Sequence, residues 1–265
     1  MFSFIIVNYN GGEYIERCIE SLLRLKVEKE IIVVDNGSKD DSCERIKKYP
    51  VSLFKMEKNE GYPKGINYGI KNSKGEFIFL LTPTTFIISG NIEELKRYDV
   101  CGIKLYDEKG NIVRSVRKIP SILDFLFLLT GISEVFKGNK ILNRWREPHF
   151  DYEKKGLAEQ PMSCALFLKR DVIERVGYFD ERFFLYFSDV DLSKNLKENG
   201  IKTYYIPDIS GIHLRGGITY KIGLKRLEYF YKDMMRYIYK HYKLFANLFI
   251  LPLITNYILR RFFKN

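Results

Sequence analysis

The stretch FIIVNYNGG, residues 4–12, decides the architecture. Phe4-Ile5-Ile6-Val7 is a short apolar run without alternation, and Asn8-Tyr9-Asn10-Gly11-Gly12 behind it is dense in turn formers, so the pair reads as a buried strand stopping in a loop. From Glu13 to Arg24 the apolar positions Ile15, Cys18, Ile19, Leu22 and Leu23 recur at helical spacing, and Glu30 to Val34 supplies a second buried strand. Strand, helix, strand is the opening of a parallel sheet. The pattern continues with a helix around Asp41–Lys48, a strand near Val51–Met56, a helix from Pro63 to Asn72 and a strand over Phe77–Leu81. Strands that are apolar on both sides need cover on both faces, which makes the fold class α/β, a mostly parallel central sheet between two layers of helices.

The second half changes character. Val100–Leu105 and Asn111–Val116 flank the turn Asp107-Glu108-Lys109-Gly110 and predict a hairpin. Ile122–Leu129 is apolar on nearly every side and reads as a core helix or an interfacial one. A strand at Ala165–Lys169 and helices over Asp171–Val176 and Asp189–Asn199 follow. After Gly223 the chain is helical, basic and aromatic, and it continues into an apolar run, Leu244–Ile254, broken by Asn247 and Pro252 and followed by Arg260, Arg261 and Lys264. This pattern fits a helix lying on an anionic lipid surface; a core helix or a self-association surface is the alternative.

Composition bounds the function classes. Among 265 residues, 44 Lys and Arg stand against 33 Asp and Glu, a net charge of +11 with a pI near 9.3. The excess points to an anionic partner, whether phosphorylated substrate, membrane surface or nucleic acid. Nothing in the chain has the form of a recognition helix or an aromatic RNA-binding motif, so nucleic acid is the least supported of the three. The four cysteines, Cys18, Cys43, Cys101 and Cys164, form no C-x-x-C pair and read as reduced core thiols. The first residues lack the basic and long apolar regions of a secretory signal, so the expected location is the cytoplasm, peripheral on the inner face of the cell membrane. Abundant Lys, Glu, Ile and Tyr beside few Met and His resembles a protein from a hot habitat.

In an open α/β sheet the loops at the carboxyl ends of the strands form the ligand crevice. Three loops fall there: Asn8-Tyr9-Asn10, the segment Asp35–Ser42, and Thr82-Pro83-Thr84-Thr85. The second offers carboxylates and amides suited to the imide and ribose hydroxyls of a nucleotide, although the same residue types also cap helices. There is no G-x-x-x-x-G-K-[ST] and no G-x-G-x-x-G, which counts against P-loop ATPases and dinucleotide dehydrogenases.

Five segments occur in a fixed order: VDNGSKDDS (34–42), NEGYPKGINYGI (59–70), LLTPTT (80–85), GYFDERFFLYFSDVD (177–191) and Ile212-His213-Leu214-Arg215-Gly216-Gly217. This order resembles the family 2 glycosyltransferases, and within them the rhamnosyltransferase-like branch, over roughly the first four fifths of the chain. The resemblance implies a GT-A fold over residues 1–220, with a nucleotide-sugar half (1–98) and an acceptor half (99–220), followed by a helical tail (221–265). It implies a nucleotide-diphosphate-sugar donor and inverting transfer to a hydroxyl of a glycan or lipid-linked acceptor, as in polysaccharide biosynthesis. By the same resemblance Asp35 holds the donor base with Asn8, Asn10 and Asn36 beside it. Asn59, Gly61, Lys64 and Asn67 line the nucleotide and diphosphate, and His213 touches the metal or diphosphate. Asp189 matches the general base, which must take the acceptor proton as the new bond forms, and Asp191 orients it or caps the helix.

Two positions depart from the family pattern. Ser188 replaces the Glu that usually precedes Asp-Val-Asp, and Thr84 replaces the carboxylate of Leu-Asn-Pro-Asp that binds Mg²⁺ or Mn²⁺. A hydroxyl is a poor substitute for a carboxylate around a hard dication. Three readings stay open: transfer without metal, with Lys64, Arg114, Arg117 or Arg215 neutralising the leaving diphosphate; weak metal binding through water at Thr84 and His213; or a catalytically silent nucleotide-sugar- or glycan-binding subunit. Self-association is open as well.

Overall fold

A computed structural model describes residues 1–214, 216–217 and 222–263. The first half runs β1 (Phe2–Asn8), α1 (Glu13–Leu23), β2 (Lys29–Asp35), α2 (Ser42–Ile46), β3 (Ser52–Lys55), α3 (Tyr62–Lys71), β4 (Phe77–Leu81) and β5 (Thr85–Ser89). The second half runs β6 (Val100–Tyr106), β7 (Val116–Arg117), α4 (Ile122–Leu129), α5 (Ile132–Val135), β8 (Gly156–Leu157), β9 (Gln160–Pro161), β10 (Ala165–Lys169), α6 (Arg170–Val176), α7 (Ser188–Glu198), β11 (Thr203–His213), α8 (Lys225–His241) and α9 (Ile250–Phe263). The main sheet has the order β3-β2-β1-β4-β10-β6-β11-β5, with β8 paired to β11, and β7 and β9 form a separate ribbon. Strands β3, β2, β1 and β4 are parallel, and β10 is antiparallel to both its neighbours.

Strand β1 explains why helices cover both faces. Its side chains alternate, so Phe2, Phe4 and Ile6 enter one core while Ile5 and Val7 enter the other. On the first face lie Ile15, Cys18, Ile19 and Leu22 of α1. On the second lie Ile66 and Ile70 of α3 with Val172 and Ile173 of α6 and Leu192 and Leu196 of α7. The expected α/β architecture, with a C-terminal helical extension, is the one observed. The four cysteines are buried free thiols, and burial raises the thiol pKa of Cys18 and Cys101.

The hairpin expected over residues 100–116 forms only at its tip. Strand β6 pairs with β11 along one edge and with β10 over Val100–Gly102 on the other, which leaves only the last residues of that edge for the chain returning from the turn, where the Val113 N–H donates to the Leu105 carbonyl. The Asp107 carboxylate does close the predicted turn by accepting from the Lys109 and Asn111 N–H groups. Beyond a single bridge between Tyr106 and Ile112 the chain then departs, and Val116–Arg117 pairs with Gln160–Pro161.

A third core joins the two ends of the second half. Phe125, Leu128 and Leu129 of α4 pack with Trp145, Phe183, Phe187 and Val190, and Tyr231, Met234, Tyr237 and Ile238 of α8 close it. Between a core and an interfacial role, α8 takes the core position. Helix α9 is held to α4 by the Asn256 amide, which donates to the Leu129 carbonyl at 2.6 Å, while Leu251, Ile254 and Ile258 remain exposed. Among the described residues no helix is long and apolar enough to cross a membrane.

Tyr237 is fully buried and its hydroxyl has no hydrogen-bond partner among the described residues. Tyr237→Phe is expected to leave stability unchanged or raise it by about 1 kcal/mol, because a desolvated hydroxyl is removed with the ring retained. Tyr237→Ala is expected to cost about 3–5 kcal/mol through the cavity left in this core. Denaturant unfolding of the two variants checks both; a larger loss for Phe than for Ala would contradict the packing described.

Candidate functional site

Strand order reverses between β1 and β4, and the loops leaving their carboxyl ends open a cavity of about 600 Å³. One wall comes from the first half of the chain. Asn8 donates from Nδ2 to Asp35 Oδ1 (2.8 Å) and to Ser38 Oγ (3.1 Å), and the Ser38 N–H donates to Asp35 Oδ2 (3.1 Å). The Asn10 N–H donates to Ser38 Oγ (2.9 Å), and Asn10 Oδ1 accepts from the Lys39 N–H (2.8 Å). These bonds lock the loop after β1 onto the loop after β2. Asn36 then reaches the next segment: its Nδ2 donates to Asn59 Oδ1 (3.1 Å) and to the Gly61 carbonyl (3.0 Å), and its Oδ1 accepts from the Glu60 N–H (2.9 Å). Gly61 has φ +94°, and a Cβ there would sit 2.8 Å from the Phe184 carbonyl oxygen, so only glycine lets the start of α3 meet the opposite wall.

The loop after β4 forms the floor. Thr82 Oγ1 lies 3.3 Å from Thr84 Oγ1 and 2.9 Å from Thr85 Oγ1, and Thr85 Oγ1 lies 3.0 Å from His213 Nδ1. Pairing of β5 with β11 places Thr85 opposite His213, so these two residues, 128 positions apart in the chain, meet beside Thr84. The donors gathered here are three hydroxyls and one imidazole, already bonded to each other. Protein sites for Mg²⁺ and Mn²⁺ are usually anchored by at least one carboxylate, and this set contains none. Among the described residues no group of three or more His, Cys, Asp or Glu side chains could hold a metal ion. The residues present therefore do not fit the usual divalent ion.

The second wall belongs to the other half: Trp145, Gln160, Met162, the segment 184–190 and the start of α8. Asp189, in the first turn of α7, is the one acidic residue among the described residues lining the cavity, and Arg117 and Lys225 are the cations. Burial raises the Asp189 carboxyl above its ordinary value, although the Arg117 cation and backbone hydrogen bonds from Ser163 and Val190 pull the other way. The guanidinium of Arg117 lies over the Trp145 ring, 5.4 Å from its centroid. A carboxyl with raised affinity for protons in a cavity wall can serve as a proton acceptor or donor.

Of the residues singled out in the sequence, Asn36, Asn59, Thr84, Asp189 and His213 line this cavity. Asn8, Asn10 and Asp35 sit in the hydrogen-bonded layer behind it, with Asp35 nearly fully buried. Lys64 is paired with Glu60 at 3.1 Å and faces solvent. Asn67 ties α3 to the second half of the chain, donating to the Phe179 carbonyl (2.8 Å) and accepting from the Phe179 N–H (3.1 Å). Asp191 lies on another face of α7, where it bonds His241 Nε2 (2.7 Å) and Lys240 Nζ (2.8 Å). Arg114 is exposed, and Arg215 lies outside the described residues. Sequence reading missed Tyr62, Trp145, Gln160, Tyr229 and Phe230, all in the cavity lining. Trp145 carried a usable signal, being the chain's only tryptophan.

Residues 3–95 match the profile described as Glycosyl transferase family 2. Over 236 residues, 81% of this chain and 76% of its counterpart, the sequence is 26% identical to N-acetylglucosaminyl-diphospho-decaprenol L-rhamnosyltransferase of Mycobacterium tuberculosis. It is 24% identical over 221 residues, 80% of this chain and 66% of the other, to the low-salt glycan biosynthesis hexosyltransferase Agl10 of Haloferax volcanii. Among solved structures, residues 1–349 of TarS from S. aureus superpose with a TM-score of 0.59 at 15% identity, covering 97% of this chain and 80% of that one.

The raised pKa of the half-buried Asp189 means that its ionisation opposes folding. That cost is absent below the ordinary carboxylate pKa, grows as pH rises from there to the elevated pKa, and is constant above it. Asp189→Asn is therefore expected to melt at a higher temperature than the parent near neutral pH, with the gap closing as pH falls toward about 4, the ordinary carboxylate range. Thermal unfolding across pH measures this; a gap that widens in acid would contradict it.

Proposed function

We propose, for a chain homologous at low identity to the family 2 glycosyltransferases and built on a GT-A-like fold, that it is an inverting transferase. The sugar passes from a nucleotide-diphosphate donor to a hydroxyl of a glycan or lipid-linked acceptor. The observation that carries this reading is Asp189, the acidic residue of the described cavity lining, in the same cavity as Asn36, Asn59 and Thr84. In this reading the nucleotide lies along the first wall, over the layer built by Asn8, Asn10, Asp35 and Asn36, and the acceptor lies against Trp145 and the segment 184–189. Asp189 takes the proton of the acceptor hydroxyl, whose oxygen forms the new bond to the anomeric carbon. The bond from that carbon to the diphosphate oxygen breaks on the opposite face, and the nucleoside diphosphate departs with the electron pair.

The Thr82–His213 floor has no carboxylate for a dication, so charge on the leaving diphosphate falls to Arg117 and Lys225 of the cavity lining. The same floor favours a second reading, a nucleotide-sugar- or glycan-binding subunit without turnover. The rhamnosyltransferase-like branch stays part of the proposal, supported by the M. tuberculosis relative. So does an anionic membrane surface met by the C-terminal extension. The exposed apolar side chains Leu244, Leu248, Leu251, Ile254 and Ile258 support it, as do the cations Lys243, Arg260 and Arg261 on a segment without an acidic residue.

With a panel of nucleotide-diphosphate sugars, transfer to acceptor or water is expected to persist in excess chelator and to fall by about 10²–10⁴-fold in Asp189→Asn. Turnover abolished by chelator and restored by Mn²⁺ would contradict the metal-free reading, and saturable nucleotide binding without turnover by any donor would favour the silent subunit. Replacing Leu248, Leu251 and Ile254 together by Glu is expected to end co-sedimentation with anionic lipid vesicles; undiminished co-sedimentation would contradict the membrane assignment.

A further inference from the structure

Asp233 sits in the middle of α8 with 0% exposure, yet most of its bonds leave its own helix. Its carboxylate accepts from the N–H groups of Phe184 (3.1 Å), Leu185 (2.9 Å) and Tyr186 (2.9 Å), three successive residues of the cavity wall. Arg236, three residues further on, donates to Asp233 Oδ1 at 2.7 Å and supplies the counter-charge. Three consecutive N–H groups turned the same way form an anion-binding concavity, and here the chain fills it with its own carboxylate. A loop so arranged cannot satisfy those donors within itself.

The clasped segment leads straight to the proposed base. Phe187 follows with φ +63°, a left-handed conformation that a bulky residue keeps only where its surroundings hold it. Those surroundings are Trp145, stacked at 5.7 Å between ring centroids, and Phe125 and Tyr237 of the third core. Ser188 and Asp189 then open α7. The Phe184 ring stacks on Tyr229 at 4.3 Å, so α8 grips this wall by ring and by carboxylate. The first wall has fastening of its own, through Asn36, Asn59 and Gly61, and meets the clasped segment where the Tyr62 N–H donates to the Phe184 carbonyl (2.7 Å).

We infer that Asp233 is a positioning residue for the transfer proposed above: it fixes the backbone of Phe184–Tyr186, and through the Phe187 bend it sets the acceptor wall and the aim of Asp189. The inference rests on reading Asp189 as the base. It gives the C-terminal extension a part in the site that none of the five ordered sequence motifs contains.

The test uses the full chain. Asp233→Asn keeps the size but turns an amide N–H₂ toward N–H donors, so at least one donor loses its partner. Faster hydrogen exchange at residues 184–186 and a shifted Trp145 emission are expected, with exchange in β1 and β2 unchanged. Nucleoside diphosphate affinity is expected to stay within about twofold, while kcat for transfer falls on the order of 10- to 100-fold and the acceptor KM rises. Asp233→Glu keeps the charge and is expected to recover part of the exchange protection and of kcat; it carries the test if the amide variant does not fold. Unchanged exchange at 184–186, or a transfer defect matched by an equal loss of nucleotide affinity, would overturn the inference. If the parent protein transfers no sugar, the reading of Asp189 fails, and exchange with Trp145 emission still decides whether Asp233 sets this wall.

Discussion

Strand β1 is packed on both faces, and that constraint governs where polar chemistry can occur. With Phe4 and Ile6 in one core and Ile5 and Val7 in the other, nothing along the strand can meet a solute until its carboxyl end. Its neighbours β2 and β4 stop at the same level in register, so Asn8, Asp35 and the Thr82 loop emerge together. The polar groups released there would be costly to bury alone, and all but the Asn8 Oδ1 oxygen, which has no partner among the described residues, are tied together through the Asn8–Asp35–Ser38 and Asn36–Asn59–Gly61 bonds. A rigid, hydrogen-bonded wall at the switch point follows from the hydrophobic pattern of a single strand.

The opposite wall is assembled differently. It lies on loops and on the start of α7, and its rigidity comes from elements distant in sequence: Asn67 of α3 on Phe179, Asp233 of α8 on Phe184–Tyr186, and Lys240 with His241 on Asp191. Asp191 and Asp189 stand two residues apart on one helix and serve different ends. The first anchors α7 to α8, and the second remains in the cavity with its proton affinity raised by burial.

The parallel half of the fold was legible in the sequence because its signals are local: uninterrupted apolar strands, helical spacing and turn residues at each strand end. Residues 100–116 were legible only at the turn because a hairpin is written in local turn chemistry, whereas one edge of β6 is taken by residues 203–213 and the start of the other by residues 165–169. The site divides along the same line. Asn36, Asn59, Thr84, Asp189 and His213 stand in ordered motifs and line the cavity, while Trp145, Gln160 and Tyr229 reach it only through tertiary packing. The placement of Asp233 was illegible for that reason as well, since an acid on a mostly basic helix reads as a solvated charge until its three backbone partners are seen.

The account turns on a single chemical event, displacement at the anomeric carbon driven from the Asp189 side of the cavity. The most direct measurement is the anomeric configuration of the product, read by proton NMR during turnover of a nucleotide-diphosphate sugar in the presence of chelator. Inverted product is the predicted result. Product with retained configuration would contradict the account.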